Sequence, residues 1–253
     1  MITADHEGSL APCQGIRPGG ALILQAGPFD FVYCSMAFIV TDGTDLYVST
    51  AGHCVEDSLD VPSLGERVAA HGVGQFGTVV HQWCEGQAAN GGCGAGTDFG
   101  LIRIDADKRS FVSASMCHWG APSGMFTAHD DNLREIRHFG WGAGLGGADV
   151  GVRSGDVLVQ PGNPATQARK GVGFIFSEPD FAVAETAAIS GDSGSGVLVT
   201  ELPTVPGLEQ PQAKALGVMT HISAGGLAFI QRMDLSLARA GTEMGRSFNV
   251  VTG

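Results

Sequence analysis

Apolar positions in this chain come in short bursts, many of them alternating with polar neighbours. Leu46-Tyr47-Val48 and Phe99-Gly100-Leu101-Ile102-Arg103-Ile104 are typical, and the β-branched and aromatic residues in such runs suit a pleated, half-buried surface. Twelve runs of this kind predict strands at 21–25, 31–41, 46–51, 76–83, 99–104, 137–141, 157–160, 172–177, 181–189, 196–200, 215–221 and 227–233. Turn residues separate them, as at Asp42-Gly43, Gly91-Gly92 and Pro161-Gly162-Asn163-Pro164. A helical period shows once, near the C-terminus. There Asp234 is placed to cap a helix through Leu235, Leu237 and Ala238 that stops at Gly241.

Twelve strands are the number needed for two six-stranded antiparallel β-barrels, so an all-β chain with a short C-terminal helix is expected. Composition agrees: the 253 residues include 39 Gly and only 16% charged side chains, which favours short strands and tight turns over helices or disorder. The expected division is 1–120 for an N-terminal arm and first barrel, and 121–253 for the second, with a crossing near 115–124. No apolar stretch is long enough for a membrane span, and Met1 to Leu10 has no signal-peptide pattern. A net charge of −12 argues against nucleic-acid or anionic-membrane partners, which require clustered Lys and Arg. Six cysteines, an even number without paired C-x₂-C spacing, favour disulfides and an oxidising compartment over a metal centre. Composition alone leaves about 15 pairings open. Cys84 and Cys93 flank Gly91-Gly92 in a way that suits a local loop closure. No cofactor or metal is expected.

The candidate chemistry begins at Gly191-Asp192-Ser193-Gly194-Ser195-Gly196. Glycines around Ser193 clear space for a substrate carbonyl, and the N–H groups of Gly191 and Ser193 suit an oxyanion hole. On its own such a string reads as a turn. Upstream, however, Ser49-Thr50-Ala51-Gly52-His53-Cys54 ends one strand with a His, and Thr97-Asp98-Phe99-Gly100 sets an Asp at the mouth of another. His, then Asp, then Gly-Asp-Ser-Gly is the chain order of a chymotrypsin-type triad.

With these anchors the chain resembles the trypsin-like (chymotrypsin-fold) serine protease family, in particular its bacterial secreted members. Ser-Thr-Ala-Gly-His-Cys is similar to the family's TAAHC signature, Thr-Asp-Phe-Gly-Leu-Ile to its NDIAL strand, and Gly191 to Gly194 to its GDSG. Phe139-Gly140-Trp141-Gly142 resembles the GWG turn, and Leu216-Gly217-Val218-Met219-Thr220 the LVGIVS strand. The resemblance runs from about residue 13 to 245 with every anchor in order. It implies a secreted serine endopeptidase that acts on proteins or peptides and meets protein protease inhibitors. In that reading His53 is the base, Asp98 orients it and Ser193 is the nucleophile. It also implies a disulfide between Cys34 and Cys54, leaving Cys13 and Cys117 to tie the N-terminal arm to the interdomain segment. An exported form would begin after a removed signal.

The resemblance further implies that buried Asp192 pairs with a cation. Gly15-Ile16-Arg17-Pro18-Gly19-Gly20 departs from the family's Ile-Val-Gly-Gly, which puts cleavage activation in doubt and makes an internal Arg, Arg137, the expected partner. Ala187 stands where trypsin-type members carry the Asp that binds Arg or Lys, so an apolar pocket is expected from Ala187, Ser190, Thr220, His221 and Ile222. Thr220 matches a family Ser beside the triad Asp. His221 is expected as a wall residue, with recognition of Glu as the alternative. His6, His71, His81, His118, His129 and His138 have no matching context and are expected to be structural or exposed. Two other classes fit less well. A non-catalytic homologue that only binds a partner fits poorly with an intact triad. An esterase of the α/β-hydrolase type needs Gly where Ser195 stands.

Overall fold

The structure is a computed structural model, and it describes residues 14–25, 31–56, 63–85, 93–94, 96–116, 119–128, 133–140, 168–174, 181–185, 191–200, 213–222 and 227–253. The first half carries β1 (Ala21–Gln25), β2 (Phe31–Ser35), β3 (Ile39–Thr41), β4 (Leu46–Thr50), β5 (Arg67–Ala70), β6 (Gly74–Cys84) and β7 (Asp98–Ile104). The second carries β8 (Leu133–Phe139), β9 (Ala168–Phe174), β10 (Phe181–Glu185), β11 (Gly196–Thr200), β12 (Ala213–Ile222) and β13 (Leu227–Arg232), followed by helix α1 (Met233–Met244) and β14 (Asn249–Val250). All pairings between these strands are antiparallel.

The later strands close into a six-stranded barrel in the order β10-β13-β12-β11-β8-β9, as the sequence predicts. The earlier ones form an eight-stranded sheet, β14-β3-β4-β7-β6-β5-β1-β2, rather than one of six. Three of the eight have no predicted run of their own, and two of these, β5 and β14, are too short to give a period. The third comes from the 31–41 run, which breaks between Ser35 and Ile39. That break curls the sheet. Met36 exchanges backbone hydrogen bonds with Gly19 and Gly20 on one side, while Ala37 and Phe38 bond Ser49 of β4 on the other. Gly20 suits this place because a Cβ there would meet the Gly15 carbonyl oxygen at 2.9 Å. The expected strand at 157–160 lies outside the described residues.

On β6 burial alternates from Gly77 onward, with Val79, His81 and Trp83 buried at two-residue spacing, whereas β7 and β11 are buried almost throughout. On β11, Val197 and Val199 face the second barrel's interior cluster with Leu216 and Ile230, and Leu198 joins the larger cluster with Phe38 and Leu101. The main core therefore continues across the junction between the two sheets.

Helix α1 buries Met233, Ser236, Leu237 and Ala240, the spacing of one helical face. It runs one turn past the expected stop and ends at Gly245, whose φ of 64° is the left-handed cap that glycine adopts without strain. Gly241 is needed for another reason: a Cβ there would press on the Arg246 carbonyl at 2.6 Å. Asp234 does not cap the helix. It accepts from Arg232 Nε and Nη2 at 3.0 and 2.8 Å, and so neutralises a guanidinium with no exposed surface.

Cys34–Cys54 and Cys84–Cys93 are disulfide-bonded, while Cys13 and Cys117 lie outside the described residues. The Cys34–Cys54 bond closes a 20-residue separation. Replacing both cysteines by Ser is expected to lower unfolding free energy by roughly 3 kcal/mol, read from chemical denaturation midpoints. An unchanged midpoint would show that the loop is held by its packing alone.

Candidate active site

Strand β4 ends at Thr50 and the chain turns through a single 3-10 turn, Gly52–Val55, that carries His53. Gly52 has no room for a side chain, because a Cβ would meet Trp83 O at 2.6 Å and Phe99 N at 2.8 Å. Its smallness lets the turn settle onto the start of β7, where Thr50 pairs with Gly100. Asp98, the first residue of β7, is completely buried there.

Asp98 holds His53 twice. The His53 backbone N–H donates to Oδ1 at 2.8 Å, and ring Nδ1 stands 2.8 Å from Oδ2. A carboxylate only accepts, so Nδ1 carries the hydrogen and the Nε2 lone pair remains available as a base. Burial by itself would lower the His53 pKa. The hydrogen bond and charge of Asp98, helped by the charge of Glu56, outweigh it and raise the pKa above the ordinary imidazole value. Asp98 is fixed in turn by the second barrel: its N–H donates to Gln231 Oε1 at 3.4 Å, and Gln231 Nε2 donates to Ser236 Oγ at 3.0 Å.

Ser193 lies in a turn from the other barrel. Gly191 (φ 95°) and Gly194 (φ 86°) supply conformations that other residues rarely adopt. The turn docks on the first barrel through Ser35, whose N–H donates to Ser193 O at 2.7 Å and whose Oγ donates to Gly191 O at 2.8 Å. A Cβ on Gly194 would overlap Ser35 O and Thr50 Oγ1. The Ser193 turn therefore rests on residues that lead directly into His53. Gly194 N–H also donates to Met219 O, which ties the same turn to β12.

Three expectations change here. Arg137 does not reach Asp192: its Nε donates to Glu135 at 2.7 Å and its guanidinium lies 5.1 Å over the Trp119 ring. Asp192 is fully buried against Gly140, where a Cβ would overlap its carboxylate. His138, which has no matching sequence context, is fully buried one position along β8 from Arg137, so alternation sends the two side chains to opposite faces. Secondly, Thr220 gives its hydroxyl to Phe229 O at 3.3 Å rather than to Asp98. Thirdly, the β12 group beside Asp98 is His221, with Nδ1 3.7 Å from Oδ2 and its ring 6.0 Å from that of His53. Ile222 is exposed, while Ala187 and Ser190 lie outside the described residues. Ile16 is buried and its N–H donates to Phe111 O.

The groups that bring Cys together with His53 or Glu56 contain only disulfide sulfurs, which offer no thiolate to a metal.

No protein-family model and no curated protein matches the chain. Solved structures do. Thermobifida fusca protease A is 20% identical with a TM-score of 0.54, over 94% of this chain and 99% of that one. Nocardiopsis protease is 17% identical with a TM-score of 0.53, over 93% and 100%. A glutamic-acid-specific serine protease, described as using a histidine triad in substrate binding, is 17% identical with a TM-score of 0.51, over 93% and 100%. The chain has the chymotrypsin fold. At these identities the likeness speaks for the fold, with its two β-barrels meeting along a seam. In this chymotrypsin fold the described parts of the His53, Asp98 and Ser193 segments gather at that seam.

An NMR titration of His53 is expected to give a pKa above about 6.5. Asp98→Asn should lower it, since the raising charge is removed. A raised histidine pKa contributes stability that is fully present below the unfolded value of about 6.5 and is lost as pH rises through the folded value. The extra stability of wild type over Asp98→Asn from this source should therefore fade on going from acid to alkaline pH.

Proposed function

We propose that the chain is a serine endopeptidase working through an acyl-enzyme, with His53, Asp98 and Ser193 as its triad. The observation that carries this reading is the double hydrogen bond from His53 to a fully buried Asp98. An unassisted serine hydroxyl is a poor nucleophile, and a His with a fixed tautomer is the group that corrects this. Ser193 Oγ attacks the scissile carbonyl carbon while His53 Nε2 takes its proton. The N–H groups of Gly191 and Ser193 receive the developing oxyanion. The C–N bond breaks as His53 returns the proton to the leaving amine. Water then gives a proton to His53 and attacks the ester, and Ser193 leaves with that proton.

Cleavage would follow an apolar side chain. Ala187 offers no anion, and a buried Arg or Lys without a partner loses its hydration uncompensated. Ser190, Thr220, His221 and Ile222 complete the proposed pocket lining. A glutamate preference through His221 is the second reading, suggested by the glutamic-acid-specific relative. The contacts of His221 Nδ1 with Thr220 at 3.0 Å and with Asp98 weigh against it, since they draw that nitrogen toward the triad. The substrates would be proteins or peptides, with protein inhibitors as further partners. Two disulfides fit a secreted enzyme, because such bonds persist in oxidising surroundings.

A fluorophosphonate probe should label the wild type at Ser193, and Ser193→Ala should abolish labelling and lower peptide turnover by roughly 10⁴-fold or more. Turnover retained by Ser193→Ala would exclude the triad, and a chain that never labels would be a binding homologue. A peptide library should show cleavage after apolar residues and none after Lys. Efficient cleavage after Lys would refute the apolar pocket.

A further inference from the structure

Asp98 Oδ2 is hydrogen-bonded to one imidazole and has a second close by. His53 Nδ1 stands at 2.8 Å and His221 Nδ1 at 3.7 Å from the same oxygen, with the rings 6.0 Å apart. We assign the second tautomer by letting Thr220 donate to the Phe229 carbonyl. Thr220 donates its only hydroxyl proton to Phe229 O, so its oxygen accepts from His221 at 3.0 Å. With this assignment the His221 Nδ1 hydrogen is donated to Thr220, and Asp98 Oδ2, 3.7 Å from the same nitrogen, feels its positive end through space rather than through a hydrogen bond. Both rings are poorly exposed, at 19% for His53 and 18% for His221, so solvent screens the coupling only in part.

We propose that His221 is a positioning residue that shares the Asp98 carboxylate with His53 and thereby holds the His53 base in its unprotonated form to lower pH. The proposal rests on the serine-protease reading and deepens it. The physics has one sign in either charge state of His221. A neutral Nδ1–H takes part of the negative field of Asp98, and a protonated ring adds direct repulsion across 6.0 Å. Each makes the His53 imidazolium less favourable, against the raising influence of Asp98 and Glu56. The charged and titratable groups around His221 among the described residues are few. Asp98 comes from β7 and His53 from the 3-10 turn, with Glu56 acting through His53. From β13, Phe229 contributes only its carbonyl, and the Arg232 guanidinium is occupied by Asp234 and Ala128 O.

The test is the pH dependence of Ser193 inactivation by a fluorophosphonate, compared among wild type, His221→Phe and His221→Gln. His221→Phe should move the acid limb to higher pH by about half a unit or more. His221→Gln keeps an N–H donor and should fall between. Superimposable acid limbs, or a shift to lower pH, would overturn the proposal. A purely structural role for His221 would lower the rate and leave the limb where it is. An NMR titration of His53 in Ser193→Ala, with and without His221→Phe, reads the same shift without any activity. If wild type never reacts with the probe, the protease reading fails, while the NMR pair still decides whether His221 lowers the His53 pKa.

Discussion

A carboxylate with no exposed surface sits where the two barrels meet, and the site is built around that charge. Removing Asp98 from water costs several kcal/mol, and only close polar partners offset such a cost. The chain supplies them from three directions. His53 gives its backbone N–H and ring, β12 brings His221 to the edge of contact, and Gln231 on β13 secures the Asp98 backbone. Because these partners come from both barrels, the charge is satisfied only when the barrels are docked. The same requirement that makes Asp98 expensive to bury makes the site an assembly of distant segments.

The proposed nucleophile arrives at this seam by backbone geometry. Ser35 is the hinge of that arrangement, since it holds Ser193 O and Gly191 O while accepting from Thr50 Oγ1 at 3.0 Å. One residue earlier, Cys34 is bonded to Cys54, directly after His53. The disulfide and the Ser35 hydrogen bonds thus act on adjacent residues, one toward the base and the other toward the nucleophile turn. Glycines at 52 and 194 permit the close approach, because each faces backbone atoms where a methyl group would not fit.

The C-terminal segment completes the frame. Helix α1 begins at the end of β13, so Gln231 and Ser236 stand in one buried hydrogen-bonded line behind Asp98. Its final strand then returns to pair with β3 in the first sheet. Arg246 bonds Asp42 and the Tyr47 hydroxyl, which pins that return to the β3–β4 turn. The hydrogen bonds that Asp42 accepts from Asp45, Thr44, Arg246 and Tyr47 hold its pKa far below the usual carboxylate range, against the opposing effect of its burial. Tyr47 is pushed up to about 12 by burial and by that neighbouring anion.

Much of this was legible in the linear chain. The strands of the second barrel follow alternation and turn residues, and the segments bearing His53, Asp98 and Ser193 are marked by local rules: a strand end, a strand start and a glycine-flanked turn. Such features depend on residues close in sequence, so the sequence by itself determined them. Tertiary structure decided the rest. Which of Arg137 and His138 is buried depends on the pleat and register of β8 against β11, and no local signal separates those faces. The closure of the first sheet at Met36 depends on Gly20 and Ser49, which lie on opposite sides of it in the chain. The place of His221 beside Asp98 depends on a register shift in β12 between Met219 and His221, where the strand breaks its pairing with β13. Side-chain direction along a strand repeats every two residues, so a single shift of register exchanges one face for the other. Only the folded barrels fix that register, and with it which imidazole meets the buried carboxylate.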